Sequence, residues 1–175
     1  MDETEAAEWF AIKTRMDFRA EEILQKLCDE VFFPKEKVKL PDGSFRLKAV
    51  IPHVLFVRTS SSHIRQLETC AHKASPEFPI PFWIYRYPGN NNIQVIPPSS
   101  IALLKLLTSD DTTKCRIYSP GEFKINERVR IKDGLYKGYT GFVKRVEKNK
   151  HVIVSIEGIC MVILPFIHPD LLEKI

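Results

Sequence analysis

"IKDGLYKGYTGFV", residues 131–143, holds three of the chain's seven glycines: Gly134, Gly138 and Gly141. The flanking segments "RVRI" and "GFVKRV" alternate apolar and basic residues as strands do. Asp133 and Gly134 form a turn pair, because glycine accepts positive φ without a Cβ clash. The two later glycines suit positive φ, a bulge or the close approach of another backbone. The stretch therefore predicts two strands joined by a tight loop, as at the corner of a small β-barrel.

The residues after this loop also have the sequence pattern of short strands. "HVIVSIE" and "CMVIL" are rich in β-branched residues, and no helical period occurs before the terminal "PDLLEKI". A series of short strands favours a closed barrel, because closure removes exposed sheet edges. Residues 121–175 are therefore predicted to form a small all-β barrel. The polar segment 108–120 is predicted to be a linker.

Residues 1–107 mix strands and helices without a regular βαβ repeat. Apolar alternation predicts strands in "EWFAIKT" (8–14), "VFFPKEKVKL" (31–40, broken at Pro34), "AVIPHVLFVRT" (49–59), "PFWIYRY" (81–87) and "IQVIP" (93–97). Apolar residues at helical spacing predict helices in 17–30, 60–70 and 97–109, with N-caps at Asp17, at Ser60 to Ser62, and at Ser99 or Ser100. This order predicts an α+β domain, an antiparallel sheet flanked by helices.

Composition narrows the class of protein. The chain is 44% hydrophobic and 27% charged, and 26 basic residues against 22 acidic ones give a net charge of +4. These values are typical of a globular protein and permit contact with nucleic acid without requiring it. No apolar run approaches the roughly 18 residues of a membrane span, and "MDETEAAEWF" lacks a signal-peptide core. We expect a cytoplasmic protein without a membrane partner.

The four cysteines, Cys28, Cys70, Cys115 and Cys160, are widely scattered. None forms a CxxC pair or lies at zinc-ligand spacing from histidine. We expect reduced, mostly buried thiols and neither a metal site nor a cofactor.

The glycine loop and its flanks resemble a known element. "ERVRIKDGLYKGYTGFV" (127–143) is similar to the KOW motif, which opens small SH3-like barrels in transcription elongation factors and ribosomal proteins. "WFAIKTRMDFRAEEILQKL" resembles the first strand and helix of the NusG N-terminal domain. "AVIPHVLFV" resembles that domain's "FPGYV" strand, and "IQVIPPSSIALLKLL" its last strand and helix. Both halves follow the NusG order, so the resemblance covers nearly the whole chain.

"IPHVLFV" and "SIEGICMVILPFIHPDLLEKI" most resemble the UpxY-type antiterminators of capsular polysaccharide operons. Two positions depart from the wider family. His53 and Val54 stand where Gly-Tyr or Asn-Tyr is usual, which replaces an aromatic residue by an aliphatic one. Asn126 stands where "GD" is usual, and asparagine tolerates the positive φ of such a turn.

The resemblance implies a non-catalytic transcription elongation or antitermination factor. Its N-terminal domain would bind the clamp helices of the largest RNA polymerase subunit through an exposed apolar patch. The residues at the matching positions are Trp9, Ala11, Ile51, Val54 and Phe56. Strand periodicity groups Trp9 with Ala11 and Val54 with Phe56. A second interpretation stays open, in which all five are core residues.

Basic residues at the start of the first helix are the implied nucleic-acid contact. In specialised NusG paralogues this region meets the nontemplate DNA strand, and Lys13, Arg15 and Arg19 would neutralise phosphates there or on nascent RNA. A solvated helix end is the alternative. "HIRQLE" is similar to a second polymerase-contacting loop, which assigns His63 and Arg65 to that role.

The barrel would recruit a further partner, such as Rho or a ribosomal protein. Leu135 and Tyr136 in the glycine loop, and Ile159 beside Gly158, are the candidates, because an exposed apolar side chain at a loop tip suits a small transient interface. The strand composition further predicts that this domain is always a barrel.

Two other functions compete with this one. A ribosome-associated or RNA-binding KOW protein is favoured by a basic cluster, formed by Lys132, Lys137, Lys144, Arg145, Lys148 and Lys150. An enzyme would need a constellation such as GxSxG, a P-loop or a metal cluster, and none is present. Cys70 and His72 are neighbours, but they lack an evident orienting group.

Overall fold

The chain divides into two compact units, Met1–Ser109 and Asp110–Ile175. The structure is a computed structural model that describes residues 4–109, 116–118, 127–146, 149–156 and 158–175. The sequence places the first domain at 1–107 and the linker at 108–120. Most of that linker, together with Cys115, Asn126 and Lys148, lies outside the described residues.

The first unit contains seven strands and three helices within its described residues. The strands are β1 (Glu8–Lys13), β2 (Glu30–Phe32), β3 (Lys35–Lys39), β4 (Phe45–Ala49), β5 (Val54–Thr59), β6 (Trp83–Ile84) and β7 (Val95–Ile96). The helices are α1 (Asp17–Leu27), α2 (Ser61–His72) and α3 (Pro98–Thr108). The predicted mixture of helices with antiparallel strands is confirmed.

The main sheet has the order β2-β5-β1-β6, and β7 also pairs with β1. Phe10 and Ile12 point to one face of β1, because side chains alternate along a strand. They join a core cluster that includes Ala20 and Leu24 of α1 and Leu67 of α2. The two helices therefore cover this face of the sheet, while Trp9 and Ala11 point to the opposite face.

Residues 49–59 do not form the single strand predicted from their apolar run. β4 ends at Ala49, a turn follows, and β5 begins at Val54. His53 has φ 68°, and its backbone N–H donates to Asp17 Oδ2 at 3.1 Å. Asp17 thus helps to hold the turn, and the prediction of a continuous strand was wrong because hydropathy does not register a reversal inside an apolar run.

The sequence identified one helix cap correctly. Ser60 caps α2, and its hydroxyl accepts from the His63 backbone N–H at 3.3 Å. Asp17 is not the N-cap of α1, because the helix begins at Asp17 itself. α3 begins at Pro98, after an N-cap at Pro97, so neither predicted serine cap is used there. Proline suits this first position, since its missing N–H would have no partner.

The second unit forms a six-stranded antiparallel sheet. Its strands are β8 (Arg116–Tyr118), β9 (Arg128–Ile131), β10 (Thr140–Val146), β11 (Asn149–Ile156), β12 (Cys160–Ile163) and β13 (Leu172–Lys174), in the order β13-β9-β10-β11-β12-β8. β8 pairs with β12, so these three residues of the predicted linker belong to the sheet. "PDLLEKI" forms a 3-10 turn, Pro169–Leu171, and then β13 instead of a helix. Closure of the sheet into a KOW barrel stays a prediction.

The glycine loop joins β9 to β10 as the sequence predicts. Gly134 and Gly138 have φ values of 90° and 89°, which suit glycine. Gly141 serves a different purpose, because a Cβ there would collide with Ile153 O and lie 2.9 Å from Val152 Cγ1. Gly141 therefore allows β11 to approach β10 closely, one of the alternatives that the sequence left open.

In the part of the chain that the structure describes, no helix is long and apolar enough to cross a membrane.

Candidate functional site

The second face of the main sheet brings four of the five proposed polymerase contacts together. Ala11 pairs directly with Phe56, and Lys13 pairs with Val54. Directly opposed residues of an antiparallel pair share a face, and Trp9 lies two residues before Ala11 on that face. The grouping by strand periodicity agrees with this register. We call these side chains the β1–β5 face, defined by Trp9, Ala11, Val54 and Phe56, with Ile51 in the turn before β5.

The five side chains are buried. Trp9 and Ile51 are each 7% exposed, Val54 is 3% exposed, and Ala11 and Phe56 are 0% exposed. The expectation of an exposed patch was therefore wrong, because both faces of β1 and β5 are covered. A role in binding polymerase stays a prediction, and it now requires that the face is uncovered on binding.

Helix α3 lies over the β1–β5 face. Lys105 Nζ is 5.4 Å from the centroid of the Trp9 ring and 5.6 Å from that of Phe32. The same ammonium lies 2.6 Å from Glu30 Oε1, and the rings of Phe32 and Phe56 stack at 6.1 Å. Cation–π contacts and an ion pair thus join α3 to the sheet. The first unit is a three-layer arrangement, with α1 and α2 on one face and α3 on the other.

The proposed nucleic-acid contacts lie at one end of this sheet. Lys13 ends β1, Arg15 lies in the following bend, and Arg19 is in the first turn of α1. All three are exposed, and within the described residues none has an ion-pair partner. Trp83 is directly opposite Lys13 and is 52% exposed. This end of the sheet therefore presents free cations beside an exposed indole, a feature that the sequence did not single out.

His63 and Arg65 have different environments. His63 is half-buried, and its Nδ1 lies 2.9 Å from Thr59 Oγ1 in β5. Its backbone is also held by the Ser60 cap, so its visible role is structural. Arg65 is exposed on α2 and is free to meet a partner, as the sequence proposed.

The three candidate residues of the second unit do not form one surface. Leu135 is 71% exposed at the tip of the glycine loop, and Tyr136 beside it is half-buried. Ile159 is 6% exposed, so its predicted exposure at a loop tip was wrong. The turn that contains it closes with the Ile159 N–H donating to Ile156 O at 2.9 Å, and the side chain packs inward. Of these three candidates, Leu135 alone is a plainly accessible apolar anchor.

Thiols and histidines take structural positions. Burial, followed by the negative charge of Asp29, raises the pKa of the Cys28 thiol to about 11, so it stays protonated at neutral pH. His72 Nε2 lies 2.9 Å from Phe82 O, and Cys70 packs at the edge of the core. Among the residues described, no group of three or more His, Cys, Asp or Glu side chains could hold a metal ion.

The first unit has one further exposed surface, which the sequence did not predict. β3 and β4 form a separate two-stranded ribbon, with Phe45 65% exposed and Leu47 52% exposed. "KEKVK" and "FRLKA" on either side of the turn "PDGS" were the available signal. Alternating lysines and apolar residues around a turn predict a hairpin with one basic and apolar face.

Comparisons with known proteins give a limited result. No family model and no curated protein matches the sequence. Six chains of solved structures match. One of them, described as "Domain interaction in Thermotoga maritima NusG", covers 97% of both chains at 14% identity with a TM-score of 0.48. A likeness of this size does not assign a function.

Proposed function

We propose that this chain is a NusG-like transcription factor that binds RNA polymerase during elongation and promotes processive transcription. The first unit would engage the clamp helices of the largest polymerase subunit, and the second unit would recruit a further partner through Leu135. The factor would act without bond chemistry or a cofactor, in the cytoplasm. The finer proposal is a UpxY-type antiterminator of a polysaccharide operon, with the second unit closing into a KOW barrel.

One observation carries the proposal. The resemblance assigns Val54 to polymerase contact and Lys13 to nucleic-acid contact, from separate parts of the sequence. The two residues are directly paired across β1 and β5. The proposed polymerase contact and the proposed nucleic-acid contact thus lie at the same end of one sheet. A factor that touches both polymerase and the transcription bubble would need them there.

Burial limits how the contact can form. The exposed residues at this end of the sheet, Lys13, Arg15 and Trp83, are accessible for a first encounter. Contact with Phe56 or Ala11 requires the β1–β5 face to be uncovered, because side chains without exposed area cannot touch a partner. Binding in this account therefore includes a conformational change.

Terminator readthrough by purified polymerase tests the function. The chain should increase readthrough on a template that carries an intrinsic terminator. Lys13→Gln with Arg15→Gln should lose most of that gain, because both cations would contact phosphates. Lys26→Gln with Lys73→Gln removes the same charge from exposed positions near the ends of α1 and α2 and should keep it. Unchanged termination with the parent chain would refute antitermination.

A second candidate function has one observation in its favour. Arg145 and Lys150 are exposed and directly opposed across β10 and β11. Like charges in that position repel each other unless an anion lies between them. A ribosome-associated or RNA-binding KOW protein would place a phosphate there. RNA binding by the chain without polymerase, abolished by Arg145→Gln with Lys150→Gln, would favour this function.

A further inference from the structure

The β3–β4 ribbon has two distinct faces. Within the described residues it pairs with no other strand. Lys37 is directly opposite Leu47, and Lys39 is directly opposite Phe45, so these four side chains share one face. Arg46 and Lys48 alternate with them and therefore point to the other face. We call the first face the Phe45 face.

The Phe45 face exposes apolar side chains that packing does not explain. Phe45 and Leu47 are 65% and 52% exposed, side by side on β4. Adjacent exposed apolar residues cost solubility and usually mark an interaction surface. Here they are flanked by exposed lysines, so the surface combines an aromatic ring with cations.

The ribbon also carries most of the net charge of the protein. Residues 35–49 contain five basic and two acidic side chains, a net charge of +3 out of the chain's +4. Lys35 is neutralised by Glu21 at 2.6 Å. Among the described residues, Lys39 and Lys48 have no ion-pair partner. A concentration of cations on one exposed ribbon favours a polyanionic partner.

We propose that the Phe45 face binds single-stranded nucleic acid. An unpaired base would stack on the Phe45 ring, and phosphates would lie against Lys39 and Lys37. A duplex fits less well, because stacking needs a base face that only an unpaired strand presents. A duplex would leave the Phe45 ring without a base to stack on, so only the lysines of this face would contribute to duplex binding. The phosphates and base faces are common to RNA and DNA.

This inference goes beyond the proposed function, because the ribbon lies outside the β1–β5 face and contains none of the residues assigned to polymerase. The test uses the purified full chain without polymerase. Fluorescence anisotropy would measure the binding of a labelled 12-nucleotide oligo(dT) or oligo(U), and of a 12-base-pair duplex, over a range of salt concentrations.

Each variant reports on one part of the proposal. Phe45→Ala should weaken single-strand binding about tenfold through the loss of base stacking. Lys39→Gln should reduce the slope of log affinity against log salt by about 0.7. Lys48→Gln, the matched control, removes the same charge from the opposite face and should change affinity less than twofold. Urea unfolding would verify that each variant is folded, as expected for exposed positions.

Several results would overturn the proposal. It is wrong if neither oligomer binds, or if Phe45→Ala binds both as tightly as the parent. Duplex binding that equals single-strand binding would also contradict it. Loss of binding only in the Arg145→Gln with Lys150→Gln variant would move the site to the second unit. Binding to vesicles of anionic lipid but not to oligonucleotides would assign the face to a membrane surface instead.

Discussion

Gly134 and Gly141 lie in the same loop segment for different physical reasons. Gly134 has φ 90° and open space where a Cβ would be. Gly141 needs no positive φ, but its missing Cβ leaves room for the backbone of β11 at Ile153. The sequence predicts that glycine is needed at both positions. It cannot separate the two reasons, because the neighbour of Gly141 lies on another strand.

Alanine substitutions should separate these reasons. Gly134→Ala should lower the free energy of unfolding by about 1–2 kcal/mol, the cost of a Cβ at positive φ. Gly141→Ala should lower it by about 3 kcal/mol or more, because the added methyl meets backbone that cannot repack. Urea unfolding followed by circular dichroism would measure both. Equal losses, or a larger loss for Gly134→Ala, would contradict the close approach of β11.

The burial of the β1–β5 face also depends on distant residues. Every position of "WFAI" is apolar, so the sequence alone cannot say which face of β1 is covered or by what. The partner of Trp9 is Lys105, far along the chain. This is why the sequence allowed both an exposed patch and a core at these positions.

At the scale of the element, the local sequence predicted which helices and strands exist better than it predicted where they begin and end. The alternation in "EWFAIKT" and the helical spacing after Asp17 predict β1 and α1, because one buried face sets each period. Helix starts were less predictable. Three consecutive serines occupy the N-cap and the first two positions of α2, and two lie in the first turn of α3, but only Ser60 is shown as a cap. Pro98 takes the first helical position, where its missing N–H needs no partner, so Ser99 and Ser100 lie inside α3 and not before it.

A pair of serine substitutions tests the assignment of caps. Ser60→Ala should lower the free energy of unfolding by about 1 kcal/mol, because the hydroxyl accepts from the His63 N–H. Ser100→Ala should cost nothing and should slightly stabilise α3, because alanine is the better helix former. Urea denaturation of the full chain measures both. A loss at Ser100 equal to that at Ser60 would show that α3 begins later than Pro98.

At the scale of the whole molecule, the change in style along the sequence marks the two units. The predicted first domain ends at residue 107, and the first compact unit ends at Ser109. Before this point the apolar residues follow both helical and strand periods, and after it they follow the strand period. β8 was not predictable, because its three residues lie in a polar segment and pair with β12, more than forty residues away.

The proposed function requires two features of the first unit. One is the set of cations at one end of the main sheet, and the other is the buried β1–β5 face, which must open on binding. Neither follows from the fold alone, because one fold can serve unrelated functions. The proposed function therefore requires a direct contact with polymerase that involves Lys13 and Trp83.

Biolayer interferometry with immobilised core RNA polymerase measures that contact most directly. The full chain should bind saturably, and Trp83→Ala and Lys13→Gln should each raise Kd by at least about fivefold, the effect of removing an interface side chain worth about 1 kcal/mol. Lys26→Gln, at an exposed position in the last turn of α1, should leave Kd unchanged within about twofold. If the parent chain does not bind core polymerase, or if all four proteins bind alike, the proposed contact is wrong.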